Sequence, residues 1–251
     1  MHRISVFPLF VLLLSCTVVE NRDGGPCTLY ESSGDMRPVN VSLWRAGIDV
    51  DGASSDVPAD FEFTVEREDY LVTAACEGRH TSYRDGIVSL AGESPVDSVY
   101  AYSRNLNCNC EWVCDTVTRH KQFATVTIAF NISPRHDRFP DSLRVISTWD
   151  GLDVRTMRPV RGDYGHTFVC TGIEQSFRVL RQGDDSLILR LISRSMGVVD
   201  NVPLGRFLTR AGYSWDDEDL KDIRIEVEEA AAKLKLIILD WEDGEPLIIE
   251  I

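Results

Sequence analysis

The chain has 251 residues and is strongly acidic, with 26 lysines and arginines against 40 aspartates and glutamates and a formal net charge of −14. Proteins bind nucleic acids and anionic membrane surfaces through clusters of positive charge. No segment of this sequence supplies such a cluster, so neither is an expected partner. The length allows two small domains or one large β domain.

The first fifteen residues have the pattern of a signal peptide. A basic start precedes an apolar run from Ile4 to Leu14, which is broken only by Pro8. This run is shorter than the ~20 residues that a helix needs to cross a bilayer, so a transmembrane helix is not expected. The ending Leu-Leu-Ser-Cys resembles a bacterial lipobox. We therefore expect residues 1–15 to be removed and Cys16 to be lipidated, the alternative being a soluble secreted protein with a chance cysteine at this position.

A polar, turn-rich tether occupies residues 16–26 and ends at a second cysteine. Lipidation of the first cysteine leaves six, an even number, in a compartment where disulfides persist. Fifteen pairings are possible, and the sequence does not choose among them. The disulfide candidates are Cys27, Cys76, Cys108, Cys110, Cys114 and Cys170.

The dense group Cys108, Cys110 and Cys114, with His120 nearby, also has the chemistry of a metal site. Its spacing matches none of the paired cysteine spacings of zinc sites, and the compartment is oxidising. Disulfides are therefore the favoured interpretation, and no metal is expected.

Short strands separated by turns are predicted almost throughout. In the first half, alternating or β-rich segments predict strands at 39–44, 61–65, 70–75 and 96–102, with a turn-forming run at 49–60. In the second half, strands are predicted at 126–130, 143–147, 176–180, 186–192, 223–228 and 233–241. A hairpin turn is predicted at 183–185, and one short helix at 204–211, ended by Gly212. We place a domain boundary after residue 115, giving domains 27–115 and 116–251.

Motifs for catalysis or cofactor binding are missing from the sequence, so we expect neither an enzyme nor a cofactor. The acidic run Asp216 to Asp219, with Asp222 beyond it, is interpreted as a solvated helix start rather than a calcium loop. Trp215 and Trp241 are interpreted as packing residues, with sugar-stacking platforms as the alternative.

Three stretches of the sequence stand out by their order and spacing. The first is CTVVENRDGGPCTLY from Cys16, and the second is Thr118-Arg119 leading into Val126 to Phe130, with FRVLRQGDDSLILRL further on. The third is YSWDDEDLKDIRIEVEEAAAKLKLIILDW, from Tyr213 to Trp241. In this order and spacing the stretches resemble the FimB-like anchoring lipoproteins of Bacteroidales fimbriae, while the Cys108 to Cys114 cluster departs from the family pattern.

The resemblance implies an all-β protein with two transthyretin-like β-sandwich domains and one short helix in the second. It also implies a structural role: a lipid-anchored subunit at the outer membrane that holds the base of a fimbrium and joins a stalk subunit by β-strand exchange. Two alternatives stay open. One is a polymerising stalk or tip subunit cleaved after Arg45, and the other is a surface glycan-binding lipoprotein.

The final residues are the candidates for the exchanged strand. After a predicted turn at 243–246, four of the last five residues are large and apolar, and an apolar terminus needs a sheet to bury it. The segment either pairs with strand 233–241 and closes its own domain or adds to a neighbouring subunit. The strand-exchange candidates are Leu247, Ile248, Ile249 and Ile251.

Overall fold

The computed structural model describes residues 25–133, 139–230, 233–239 and 247–250. Within these ranges the chain is almost entirely β-structure, in sheets that form sandwich-like domains, as the sequence predicts. The strands are β1 (Cys27–Ser32), β2 (Val39–Arg45), β3 (Ile48–Ser55), β4 (Asp60–Val65), β5 (Asp69–Ala75), β6 (Thr81–Arg84), β7 (Ile87–Leu90), β8 (Tyr100–Asn107), β9 (Trp112–Thr116), β10 (His120–Lys121), β11 (Phe123–Asn131), β12 (Ser142–Asp153), β13 (Arg158–Val169), β14 (Glu174–Leu180), β15 (Ile188–Ser193), β16 (Gly197–Val202), β17 (Ile223–Ala230), β18 (Lys233–Leu239) and β19 (Leu247–Glu250), with helix α1 (Leu204–Arg210) before β17.

The first part of the chain builds two sheets around one apolar core. A three-stranded sheet has the order β4-β1-β9, and a five-stranded sheet has the order β10-β8-β5-β2-β3. Their shared core includes Leu29, Leu43, Val72 and Leu106, whose side chains are buried. The alternation in β2 has the expected cause, since Val39, Val41 and Leu43 point into this core.

Two larger sheets enclose a second core. One has the order β14-β11-β17-β18-β19, and the other has the order β16-β15-β12-β7-β6, with β13 also paired to β12. Their inward residues include Val126, Ile128, Leu189 and Ile225, each at most 1% exposed. The β6–β7 hairpin joins the second of these sheets although it comes from the first part of the chain, because β7 pairs with β12.

The predicted helix is confirmed. Helix α1 buries Leu204, Phe207 and Leu208, and the chain then turns at Gly212, whose φ of +84° is the left-handed conformation that glycine adopts without strain. Among the described residues, no helix is long and apolar enough to cross a membrane.

Several local predictions are wrong. Most of the segment predicted as a turn at 49–60 belongs to β3. This strand has polar residues on both faces, so its sequence lacks the apolar–polar alternation by which strands are predicted. The strand predicted from residue 96 begins instead at Tyr100 and continues to Asn107. The turn at 183–185 does not close a hairpin, because β14 pairs with β11 in one sheet and β15 pairs with β12 in the other.

Candidate assembly and anchoring sites

The N-terminal segment meets the fold at a buried strand. Cys16 and the signal segment lie outside the described residues, and β1 begins at Cys27, two residues after the described chain starts. β1 is the middle strand of its sheet, antiparallel to β4 and parallel to β9. Cys27 and Leu29 are fully buried. At residue 27 the chain therefore passes directly from the predicted tether into the first core.

Three of the six disulfide candidates come together. Cys27 and Cys108 are both fully buried in the first core, and their side chains share a hydrogen bond. Cys110 lies beside them, partly exposed, and its thiol donates to the backbone oxygen of Trp112 at 3.2 Å. All six candidates are thiols in this structure.

The other three candidate cysteines occupy separate positions. Cys76 is buried at the end of β5 beside Arg37, Cys114 is exposed on β9, and Cys170 follows β13 near Asp141. For all six cysteines, the disulfides predicted from the sequence stay a prediction.

A carboxyl group without a hydrogen-bond partner is buried next to the cysteine group. Glu31 on β1 is fully buried, and neither of its carboxyl oxygens has a hydrogen-bond partner among the described residues. Burial raises the pKa of Glu31 to about 8, and the Asp115 carboxylate adds to this shift, while Arg104 opposes it. Asp115 itself accepts hydrogen bonds from Tyr102 and Arg104. Glu31 is therefore largely protonated at neutral pH.

The acidic run at 216–222 is not a helix start, contrary to the sequence interpretation. Residues 214–222 form bends and loop, and their carboxylates pair across to β10. Asp219 accepts a hydrogen bond from the backbone of Lys121 at 2.5 Å, and Asp222 pairs with the Lys121 ammonium at 2.6 Å. His120 lies 3.1 Å from Glu218. These contacts fix the loop against the connection between the two cores.

Metal binding finds no support in the geometry of the described ranges. Within residues 25–133, 139–230, 233–239 and 247–250, no group of three or more histidine, cysteine or acidic side chains is placed to hold a metal ion. His120, which the sequence places near the cysteine cluster, is instead engaged by the acidic loop.

A cleft of about 630 Å³ opens beside the helix, lined in part by Trp149, Asp184, Tyr213 and Trp215. The Trp149 indole donates to Asp184 at 2.9 Å, and the Arg161 guanidinium covers its ring at 4.8 Å. Trp215 is 8% exposed and belongs to the second core, as expected for a packing residue, while Trp241 lies outside the described residues. The cleft therefore has polar walls but offers little open aromatic surface.

Among the edge strands of the four sheets in the described residues, β19 and β3 are the two candidates for joining an assembly partner. The C-terminal strand β19 is the last strand of its sheet, and among the described residues it pairs with β18 alone, with Leu247 opposite Ile238 and Glu250 opposite Lys235. Leu247, Ile248 and Ile249 lie on it, whereas Ile251 is outside the described residues. The second edge is β3, where the Ile48 side chain is 67% exposed. An edge strand carries unpaired backbone groups, so either edge is open to β-augmentation.

Arg45, the alternative cleavage point, ends β2 at a tight turn. Ala46 and Gly47 make the turn into β3 with φ values of +51° and +81°. The Arg45 guanidinium is held 2.5 Å from Glu66 on the chain after β4. β2 itself lies between β5 and β3.

Solved structures from Bacteroidales match the chain over most of its length. A Bacteroides thetaiotaomicron protein described as a candidate polysaccharide-binding protein has a TM-score of 0.66 at 12% identity, covering 90% of this chain and 98% of its own. The fimbrial anchor protein Mfa2 of Porphyromonas gingivalis has a TM-score of 0.63 at 12% identity, covering 86% and 98%. A candidate adhesin from Bacteroides ovatus has a TM-score of 0.60 at 12% identity, covering 89% and 95%.

The chain shares its fold with a fimbrial anchor protein. At this identity the likeness concerns the fold, and it confirms the fold class and the structural resemblance inferred from the sequence. No family model matches the chain, and no curated protein does.

Sequence reasoning missed two features of these sites. The buried Glu31 is flanked by Tyr30 and Ser32, so nothing in its local pattern marks it as a core residue. The proximity of Cys27 to Cys108 depends on packing between two sheets, which sequence spacing does not encode.

Proposed function

We propose that this protein is a lipid-anchored structural subunit that holds the base of a fimbrium at the outer membrane and joins a stalk subunit by β-strand exchange. The observation that carries the proposal is the C-terminal strand β19, which ends its sheet and is paired on one side only. A strand so placed offers its free side to a partner strand, or leaves its own sheet for the partner's.

The two ends of the chain suit such a joint. The lipobox-like segment and tether precede the buried strand β1, and the apolar C-terminal strand lies on the second pair of sheets. Membrane attachment and stalk attachment would then use different sheets. The shared fold with Mfa2, named as a fimbrial anchor protein, supports this role, and the solved structures with this fold are named as binding, anchor or adhesin proteins rather than enzymes.

Cleavage after Arg45 is the less favoured alternative. Proteases bind their substrates as extended chain over several residues, whereas Arg45 lies next to a two-residue turn and is ion-paired with Glu66. Cleavage there would also separate the chain at β2, whose Val39, Val41 and Leu43 are at most 1% exposed. The intact strand is therefore part of the anchor that we propose.

Glycan binding is the second candidate function, and the cleft beside α1 favours it. Trp215 lines this cleft, and its buried indole N–H has no acceptor among the described residues, so that a sugar hydroxyl reaching it would supply one. Titration of the protein with purified surface polysaccharide while Trp fluorescence is followed tests this reading. A Trp215→Phe variant, which keeps an aromatic side chain but loses the indole N–H, is the matched comparison.

Deletion of residues 247–251 tests the proposed function. In cells that carry the fimbrium, we expect the deletion variant to stay lipidated and folded while fimbriae are shed into the medium. The matched control is the double variant Ile48→Thr, Val50→Thr, which makes the exposed edge β3 more polar and should retain fimbriae. Full retention by a folded, lipidated deletion variant would contradict strand exchange at β19.

A further inference from the structure

Two sheets of the first sandwich each place one fully buried cysteine into the same core. Cys27 is the first residue of β1, in the sheet β4-β1-β9, and Cys108 directly follows β8, in the facing sheet. Both are 0% exposed and belong to one apolar cluster. The two residues are 81 positions apart in sequence, so their meeting is a property of the sandwich.

Backbone hydrogen bonds fix both positions. The Cys108 N–H donates to the Glu68 oxygen at 2.9 Å, and the Thr28 N–H, next to Cys27, donates to the Glu111 oxygen at 2.8 Å. Cys27 also faces Val65 in the ladder between β1 and β4. The segment 108–111 is thereby held against the start of β1, and little chain movement is available to separate the two thiols.

The chemistry around the pair suits a disulfide better than two free thiols. The Cys27 and Cys108 side chains share a hydrogen bond, and burial raises the pKa of the Cys108 thiol to about 12, with Cys27 adding to the shift. A thiol held this way is a poor metal ligand and a poor nucleophile, because both roles need the thiolate. Cys110 also contacts the Cys27 side chain, but unlike Cys108 it is partly exposed, and its thiol is hydrogen-bonded to the Trp112 oxygen.

We propose that Cys27 and Cys108 form a disulfide in the mature protein and that this bond ties the point where the tether meets the fold to both sheets of the first sandwich. Two thiols are oxidised to one S–S bond with loss of two protons and two electrons. The electrons pass to an external disulfide, of a thiol oxidase or a small molecule, which is reduced to two thiols. Oxidation takes place during folding, when the two sheets have brought the thiols together but have not yet buried them from the oxidant.

The bond has a mechanical consequence that rests on the proposed function. Force on a fimbrium would reach the membrane through the tether, and thus through residue 27. Without the bond, this force falls on the hydrogen bonds of β1 with β4 and β9. With the bond, the five-stranded sheet shares the force through Cys108.

Peptide mapping of the full-length protein from cell envelopes tests the proposal. The protein is alkylated under denaturing, non-reducing conditions and digested with trypsin, which cuts after lysine and arginine but not at the Arg37–Pro38 bond. We expect peptide 23–45, which contains Cys27, linked to peptide 105–119, which contains Cys108, Cys110 and Cys114. Free, alkylated Cys27 in most molecules would overturn the proposal.

Single variants identify the cysteine in the second peptide. Cys110→Ser and Cys114→Ser should each keep the link between the two peptides, whereas Cys108→Ser should release an alkylatable Cys27 in protein that still folds. Loss of the link in Cys110→Ser, with retention in Cys108→Ser, would assign the bond to Cys110 and overturn the pairing. Reduction of the wild-type protein should lower the Tm by roughly 10 °C. These results do not depend on fimbrial retention, so the disulfide and the proposed function can fail separately.

Discussion

Glu31 on β1 and Asp115 on β9 are register partners on adjacent parallel strands, so two acidic side chains meet at the edge of the first core. Asp115 is neutralised by Arg104 at 2.7 Å, whereas the Glu31 carboxyl has no hydrogen-bond partner in the part of the chain that the structure describes. A buried acid with no partner is stable only in its protonated form. The stability of the first sandwich therefore depends on pH through Glu31.

Glu31→Gln should stabilise the protein above neutral pH. The pKa of Glu31 is raised from 4.5 to about 8, so the folded state binds a proton more tightly than the unfolded state. The stability that Glu31 contributes is full below pH 4.5 and is lost as the pH rises through 8. Since one pKa unit corresponds to about 1.4 kcal/mol, we expect the variant to gain roughly 2 to 4 kcal/mol at pH 9 and almost nothing at pH 4.5. Urea unfolding at the two pH values measures this difference, and an equal gain at both would refute the assignment.

Arg181→Met should destabilise the second sandwich strongly. The Arg181 guanidinium is 5% exposed and donates to the Gln122 side chain at 2.9 Å and to the backbone oxygens of Trp215 and Asp217. Its removal leaves buried acceptors without donors, which costs on the order of 3 to 5 kcal/mol. Arg178→Met, which changes an exposed residue of the preceding strand β14, is the control and should change the unfolding free energy by less than ~0.5 kcal/mol. A similar loss of unfolding free energy in the two variants would show that the buried hydrogen bonds of Arg181 do not stabilise the fold.

Gly183→Ala should disturb the cleft through Trp149. A Cβ atom at residue 183 would lie 2.5 Å from the Trp149 ring, which is held by Asp184 on one edge. We expect a loss of about 1 to 3 kcal/mol and a shifted tryptophan emission. Gly172→Ala is the matched control, because no atom lies within 4 Å of its added Cβ. Equal thermal stability of the two variants would show that the Trp149 ring moves aside without loss of stability.

Cys16→Ala should release the protein from membranes. The lipid is the expected means of attachment, because the net charge of −14 gives the chain no electrostatic affinity for anionic lipid. Carbonate washing of membranes from cells with the variant, followed by immunoblotting, measures this. Cys114→Ser serves as the control for loss of a cysteine elsewhere. A variant that resists the wash would exclude lipidation as the anchor.

Strand periodicity predicted the core strands because each has one buried face. β2, β11 and β17 alternate apolar and polar residues, and the apolar residues Val41, Ile128 and Ile225 are buried in the cores. Strands without that contrast were missed. β13 reads Arg-Pro-Val-Arg-Gly-Asp-Tyr-Gly-His-Thr-Phe-Val and pairs along nearly all of β12, yet only Tyr164 is buried.

Turn chemistry predicted where the chain bends but not where it goes next. Gly183 and Asp184 form the expected turn, and Asp184 accepts from the Ser186 backbone at 2.9 Å. The flanking strands nevertheless enter different sheets, because strand partners are chosen by long-range packing rather than by the turn. The Cys27–Cys108 contact was beyond sequence reasoning for the same reason.

Photo-cross-linking from β19 in fimbriated cells tests the central claim most directly. A photoreactive residue is placed at position 248 or 249, so that both faces of the strand are sampled, and at position 48 on β3 as the control edge. We expect irradiation to link at least one β19 position, but not residue 48, to a fimbrial subunit, identified by mass spectrometry of the adduct. Adducts only from residue 48, or none from a folded and membrane-bound protein, would contradict the assignment of this strand as the fimbrial joint.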